Sequence, residues 1–187
     1  MKVLAISGSL RKQSYNTALL QAARDVAPKG MDIQFADITA VPAYDSDVQA
    51  AGFPAAVIQL ASAIREADGV LIATPEYNYS IPGILKNAID WVSRVDEQPF
   101  DGKAIAIVGA SMGNLGTARA QYHLRQIFVF LNGLVMNRPE VFVGAAHEKF
   151  DDDGTLIDSE TGEFLAGFMR QFAVWIETTK PVARVSA

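Results

Sequence analysis

The sequence predicts an α/β fold: a parallel β-sheet with helices on both faces. Short, continuously apolar runs of strand length recur along the chain, as expected for strands buried on both sides. Each run is followed by a segment of helical periodicity, and Gly and Pro punctuate the joins. The chain has 187 residues, half of them hydrophobic, which suits one domain with a substantial core.

Lys2–Ser7 reads as a buried strand, because its apolar residues run together rather than alternate. Thr17–Val26 reads as a helix stopped by Pro28 and Gly30, and Met31–Phe35 as a second strand. Residues 36–52 carry Pro42, Tyr44 and several aspartates and read as a long loop. Pro54 opens a helix to about Ala67, since a proline in the first turn lacks only an N–H that has no partner there. Val70–Ala73 is a third strand between Gly69 and Pro75. Pro82–Arg94 is the clearest helix: Ile81, Leu85, Ala88, Ile89 and Val92 space an apolar stripe. A strand at Lys103–Gly109, a helix at Thr117–Leu131, a strand at Val141–Val143 and a helix at Ser159–Thr179 complete the chain. Strands that alternate with helices imply right-handed crossovers. The expected architecture is a flavodoxin-like three-layer sandwich, a five-stranded parallel sheet in order 2-1-3-4-5, spanning residues 1–187 as a single domain. Ligands of such sheets bind beyond the carboxyl ends of the strands.

Composition narrows the function. A net charge of −5, with Lys and Arg scattered, argues against nucleic acid or an anionic membrane as main partner. There is no cysteine, so disulfides, thiol catalysis and thiolate metal sites are excluded. The two histidines, His123 and His147, are far apart and no HExxH pattern occurs, so no zinc site is expected. The first residues do not read as a signal peptide, and no run approaches the roughly 20 apolar residues of a membrane span. The expected setting is the cytoplasm.

Three loops carry the chemistry. The first, Ser7-Gly8-Ser9-Leu10-Arg11-Lys12-Gln13-Ser14-Tyr15-Asn16-Thr17, joins a strand to a helix. It offers a glycine for close approach, small polar donors, a guanidinium and a helix N-terminus, which together suit a phosphate. The same residues also make ordinary caps and turns. The second, Thr74-Pro75-Glu76-Tyr77-Asn78-Tyr79-Ser80-Ile81-Pro82-Gly83, is pinned by prolines and places tyrosines where a planar ring could lie, with backbone N–H groups around Tyr77 and Asn78 for its edge. The third, Gly109-Ala110-Ser111-Met112-Gly113-Asn114-Leu115-Gly116-Thr117, is glycine-rich but is neither a dinucleotide fingerprint nor a P-loop. Its glycines suit either a ligand or tight strand–helix packing. Together, at one edge of a small sheet, the loops suit a phosphorylated planar cofactor, for which flavin mononucleotide fits better than a dinucleotide.

G-S-L-R-x-x-S-x-N after the first strand and T-P-E-Y-N-Y-S-x-P-G-x-L-K-N-A-I-D-W after the third resemble the NADPH-dependent FMN reductase family, in its bacterial quinone reductase or chromate reductase branch. Gln121-Tyr122-His123-Leu124-Arg125-Gln126 fits the same resemblance. It implies that Ser9, Leu10, Arg11, Ser14, Tyr15 and Asn16 hold the FMN phosphate and ribityl chain. It implies that Pro75, Glu76, Tyr77, Asn78 and Tyr79 line the ring, with Ser111 and Gly113 on its other side. The implied activity is FMN-dependent NAD(P)H:quinone oxidoreduction, two electrons passing through flavin N5 by a ping-pong scheme, with chromate, azo and nitro compounds as further acceptors. A homodimer or homotetramer is implied. No protein side chain is expected to act as a catalyst of its own. A flavodoxin-type carrier that does not oxidise NAD(P)H, and a supplier of free reduced flavin, are the alternatives.

Lys149–Glu160 nearly matches a calcium loop, with Asp151 and Asp153 at its third and fifth positions, Gly154 at its sixth and Glu160 at its twelfth. Its first ligand position holds Lys149, so a solvated turn is expected instead.

Overall fold

A computed structural model describes residues 1–180; residues 181–187, the end of the expected domain, lie outside the described residues. In chain order the first elements are β1 (Lys2–Ser7), α1 (Tyr15–Asp25), β2 (Asp32–Ala36), α2 (Ser46–Ala51), α3 (Ala55–Glu66), β3 (Gly69–Ala73) and α4 (Gly83–Val92). The rest are β4 (Ala104–Ala110), α5 (Ala118–Phe130), β5 (Leu134–Val135), β6 (Val141–Val143), α6 (Ala146–Lys149) and α7 (Ser159–Thr179). Every strand pair is parallel, in order β2-β1-β3-β4-β5 with β6 also on β4.

The period of two along each strand sorts residues between two apolar layers. Val3, Ala5, Leu71, Ala73, Ala106 and Val108 face α1 and α7, meeting Leu19, Leu20, Phe168 and Phe172. Leu4, Ile6, Val70, Ile72, Ile105 and Ile107 face α3, α4 and α5, meeting Ile64, Leu85, Trp91 and Phe128. The first layer is rich in alanine on the sheet side, so bulk comes from the helices; in the second the sheet supplies leucine, isoleucine and valine.

The expected strand order stands, and the expected number of strands does not. The fifth position is split: Leu134 and Val135 pair with the start of β4, Val141 to Val143 with its end. Between them Met136 still donates to the Ile105 carbonyl at 2.8 Å. Pro139, which has no N–H to give, lies in the interruption. The expected loop over 36–52 contains α2, capped by Asp45, whose side chain accepts the Asp47 N–H. The remainder is clasped by α4: Asn87 Nδ2 and Trp91 Nε1 both donate to the Pro42 carbonyl, at 2.8 and 2.9 Å. The last part of the K-N-A-I-D-W signature thus secures a loop. The first helix begins at Tyr15 rather than Thr17, because Ser14 is its N-cap. Among the described residues no helix is long and apolar enough to cross a membrane.

Parallel strands place all three informative loops at one edge, and the hydrogen-bond ladder runs one step past the strands. Gly8 N–H reaches the Ala73 carbonyl at 2.8 Å, Thr74 N–H reaches Val108 at 3.1 Å and Ser111 N–H reaches Val143 at 3.0 Å. The loops therefore leave the sheet in fixed directions. Gly109 lets β4 lie against the loop above it. A Cβ there would run into Thr117 Oγ1 and sit 2.7 Å from the Thr74 carbonyl oxygen. Gly109→Ala should cost about 2–3 kcal/mol through forced backbone shifts. Urea unfolding that differs from wild type by under half a kcal/mol would contradict this packing.

Candidate active site

The first loop closes on itself before it reaches any ligand. Ser14 Oγ accepts the Asn16 and Thr17 N–H groups at 3.2 and 3.4 Å, the cap of α1. Ser7 Oγ lies 2.8 Å from Thr17 Oγ1. Arg11 Nη2 donates to the Gln13 carbonyl at 2.6 Å, and its guanidinium lies over the Tyr15 ring at 5.4 Å. Among the described residues, the N–H groups of Leu10, Gln13, Ser14 and Tyr15 find no acceptor. These donors, with an exposed arginine and the positive end of α1, form an anion cradle.

Asn16 has a structural task beside the expected one. The residue is 3% exposed, and its amide is paired with one backbone: Nδ2 donates to the Ala110 carbonyl and Oδ1 accepts the Ala110 N–H, each at 3.0 Å. Asn16 therefore ties the first loop to the end of β4, with one amide N–H left over.

The second loop is a two-residue hairpin. Tyr77 and Ser80 exchange both backbone hydrogen bonds at 3.0 Å, and Asn78 and Tyr79 between them have φ of 50° and 66°. Adjacent left-handed residues define a type I′ turn, which favours Asn and Gly. Tyrosine in such a position costs about 1–2 kcal/mol. Tyr77 N–H, expected to be available to a ring edge, is taken by Ser80. Asn78 N–H finds no acceptor among the described residues. The rings of Tyr77 and Tyr79 are exposed.

Glu76 likewise serves the protein itself. Its carboxylate does not face the open rim. Oε1 accepts Arg119 Nε at 2.6 Å, and Oε2 accepts the Arg119 and Ala120 N–H groups at 3.1 and 3.2 Å. Thr117 precedes α5 with φ of 71° and provides no side-chain cap, so Glu76 caps the helix from another loop, where a negative charge is favoured. The Arg119 guanidinium lies 3.7 Å over Tyr79, and His123 Nδ1 lies 3.1 Å from Ser80 Oγ. Arg119 was not expected at the site, its signal being only its place in the helix after the glycine-rich loop; His123 also falls in the Gln121–Gln126 stretch that carries the resemblance.

In the third loop the glycines divide. Gly109 and Gly116 serve packing: a Cβ on Gly116 would run into the Phe142–Val143 backbone. Gly113 meets nothing nearer than Ser111 Oγ at 3.9 Å and borders open space. Ser111 Oγ donates to the Gly113 carbonyl at 3.0 Å. Pro75 is buried beside Gly8, where a Cβ would approach it to 3.3 Å. Ser9 Oγ accepts the Arg11 N–H at 3.4 Å, and Leu10 is exposed above it.

The near-calcium segment forms a tight turn. Asp151 Oδ1 accepts the Asp153 and Thr155 N–H groups at 3.1 and 2.8 Å, and Phe150 bridges Leu156. Lys149 Nζ lies 3.5 Å from Asp158, the N-cap of α7. The turn faces Arg11, Lys12 and Ser14 across a cleft of about 680 Å³.

A family model described as NADPH-dependent FMN reductase matches residues 1–148. An NAD(P)H-dependent FMN reductase of Pseudomonas aeruginosa is 53% identical over 176 residues, 94% of this chain and 95% of its own. A quinone reductase of Escherichia coli is 48% identical over 183 residues, 96% and 97% of the two chains. The solved structure of FerB, a flavoenzyme NAD(P)H:(acceptor) oxidoreductase from Paracoccus denitrificans, superposes with a TM-score of 0.87 at 36% identity, covering 95% of this chain and 98% of that one.

Removing the Asn16 amide strands both backbone groups of Ala110 in the interior. Asn16→Ala should destabilise the protein by about 2–4 kcal/mol, at about 1–3 kcal/mol per unpaired buried group. Denaturant unfolding of the protein without added ligand measures it directly; an unchanged midpoint would show that the clamp contributes nothing to stability.

Proposed function

The chain belongs to the NADPH-dependent FMN reductase family, and we propose that it is an FMN-dependent NAD(P)H:quinone oxidoreductase, built as one FMN-binding domain. The observation that carries the reading is the anion cradle at the start of α1, where unsatisfied N–H groups, Ser14 and Arg11 converge. A phosphate monoester matches that donor set in charge and in its demand for several hydrogen bonds. FMN, when bound, supplies two-electron redox chemistry between NAD(P)H and a quinone.

The residues divide that work. Ser9, Leu10, Arg11, Ser14 and Tyr15 hold the phosphate end; Ser14 spends its lone pairs on the cap and keeps its proton to donate. Pro75 buttresses Gly8 from below. Tyr77, Asn78 and Tyr79 flank the ring on one side, with Ser111 and Gly113 on the other. Asn78 N–H, like Tyr79 N–H, finds no acceptor among the described residues, and in this reading it meets negative charge that develops on reduction. Asn16 and Glu76 act through the backbone they fix. The exposed tyrosines leave one face open to flat substrates, so donor and acceptor use it in turn and the kinetics are ping-pong.

The same openness admits chromate, azo and nitro compounds as further acceptors. On α5, Val129 and Phe130 are 80% and 90% exposed, and Tyr122, two turns earlier, is exposed too. Such a strip favours burial against a second copy, and this reading takes the enzyme as a homodimer or homotetramer. It works in the cytoplasm, beside the NAD(P)H it consumes.

Purified protein reconstituted with FMN should bleach within seconds of anaerobic NADPH addition and recover its colour with benzoquinone. A flavin that stays oxidised under NADPH would instead identify an electron carrier. The cradle has its own test. A charge-assisted bond contributes about 1.5–3 kcal/mol, so Arg11→Ala should weaken FMN roughly 10–100-fold. An affinity within about twofold of wild type by fluorescence quenching would refute the assignment of Arg11.

A further inference from the structure

The turn at Asn78–Tyr79 is unfavourable on its own terms, and the start of α5 holds it. Two successive non-glycine residues sit in the left-handed region. Hydrogen bonds between Tyr77 and Ser80 close the turn but do not select its hand. One residue contacts it on both sides. Arg119 Nε binds Glu76, immediately before the hairpin, at 2.6 Å. Its guanidinium face covers the Tyr79 ring, the second turn residue, at 3.7 Å. Its backbone N–H meets the second oxygen of the same carboxylate at 3.1 Å. The edge and the face of one planar group thus fix the two ends of a segment whose middle is Tyr77 and Asn78.

We propose that Arg119 is a positioning residue that locks the Asn78–Tyr79 turn in its left-handed form and so aims the free Asn78 N–H at the redox site. The role needs arginine. A lysine ammonium can pair with Glu76, but it has no flat face to lay on a tyrosine while donating from its edge. The proposal rests on the reading of the site as a flavin site, because only there does the aim of Asn78 N–H matter chemically. A donor held in advance stabilises developing negative charge, whereas a donor that must first be ordered does so less.

The test has one arm without cofactor and one with it. In the apoprotein, Arg119→Ala and Arg119→Lys should each speed amide hydrogen exchange at Tyr77 and Ser80 about tenfold, with Ile72 and Ile107 in the core unchanged. Tyr79→Leu, which removes the stack and keeps the charge, should do the same and serves as second variant if Arg119→Ala does not fold. In FMN-loaded protein of matched oligomeric state, all three should bind reduced FMN about tenfold more weakly relative to oxidised FMN. That is a fall of about 30 mV in two-electron midpoint potential. Unchanged exchange in the variants overturns the proposal. A potential that falls in Arg119→Ala but not in Arg119→Lys or Tyr79→Leu also overturns it, since Arg119 would then act through its charge alone. Failure of the wild-type protein to take up FMN defeats the flavin reading separately, and the exchange result still decides whether Arg119 locks the turn.

Discussion

The site depends first on the clamp between the Asn16 side chain and the Ala110 backbone. A parallel sheet brings loop starts to one edge but does not by itself join them, because each loop continues into its own helix. Asn16 lies one residue into α1, and Ala110 is the last residue of β4. Two hydrogen bonds of 3.0 Å between groups 94 residues apart fix the first helix against the strand that leads into the glycine-rich loop. The amide is buried, so neither bond competes with water, and its geometry matches a backbone N–H and carbonyl on one residue. The donors of the first loop and the open space at Gly113 are thereby held in one frame.

A second constraint works in the opposite sense. The clamp relieves unsatisfied groups, whereas the hairpin at Tyr77–Ser80 stores strain in two left-handed residues. The two meet at α5. Thr117 enters that helix with positive φ and gives it no cap, so the helix takes its cap from Glu76. A helix start that lacks a local cap and a turn that lacks glycine complete each other, and neither would be stable in that form alone.

How much of this could be read from the chain follows from the range of each interaction. β1, β6 and α7 lie within the expected limits because their signals are local: apolar runs and capping residues. The start of α1 is ambiguous in the sequence because Ser14, Asn16 and Thr17 can all cap, and only the hydrogen bonds pick out Ser14. β5 has two residues, too few for any period to register. The side chains of Glu76 and Asn16 serve partners 43 or more residues away, which spacing along the chain does not reveal. Gly109 and Gly116 carried both readings of a glycine-rich loop; the backbone that a Cβ would meet decides for packing.

These assignments split the site into a committed floor and an uncommitted rim. Asn16, Glu76, Gly109 and Gly116 spend their side chains, or their lack of one, on the protein itself, so a cofactor resting there meets a surface that does not move. Leu10, Tyr77, Tyr79, Met112 and Leu115 are all more than half exposed and surround that floor with apolar surface. Such a rim offers area and flatness but few directed hydrogen bonds, so it discriminates weakly among flat acceptors. A rigid floor with a permissive rim favours one cofactor and many acceptors, which is the division expected where the cofactor carries the chemistry.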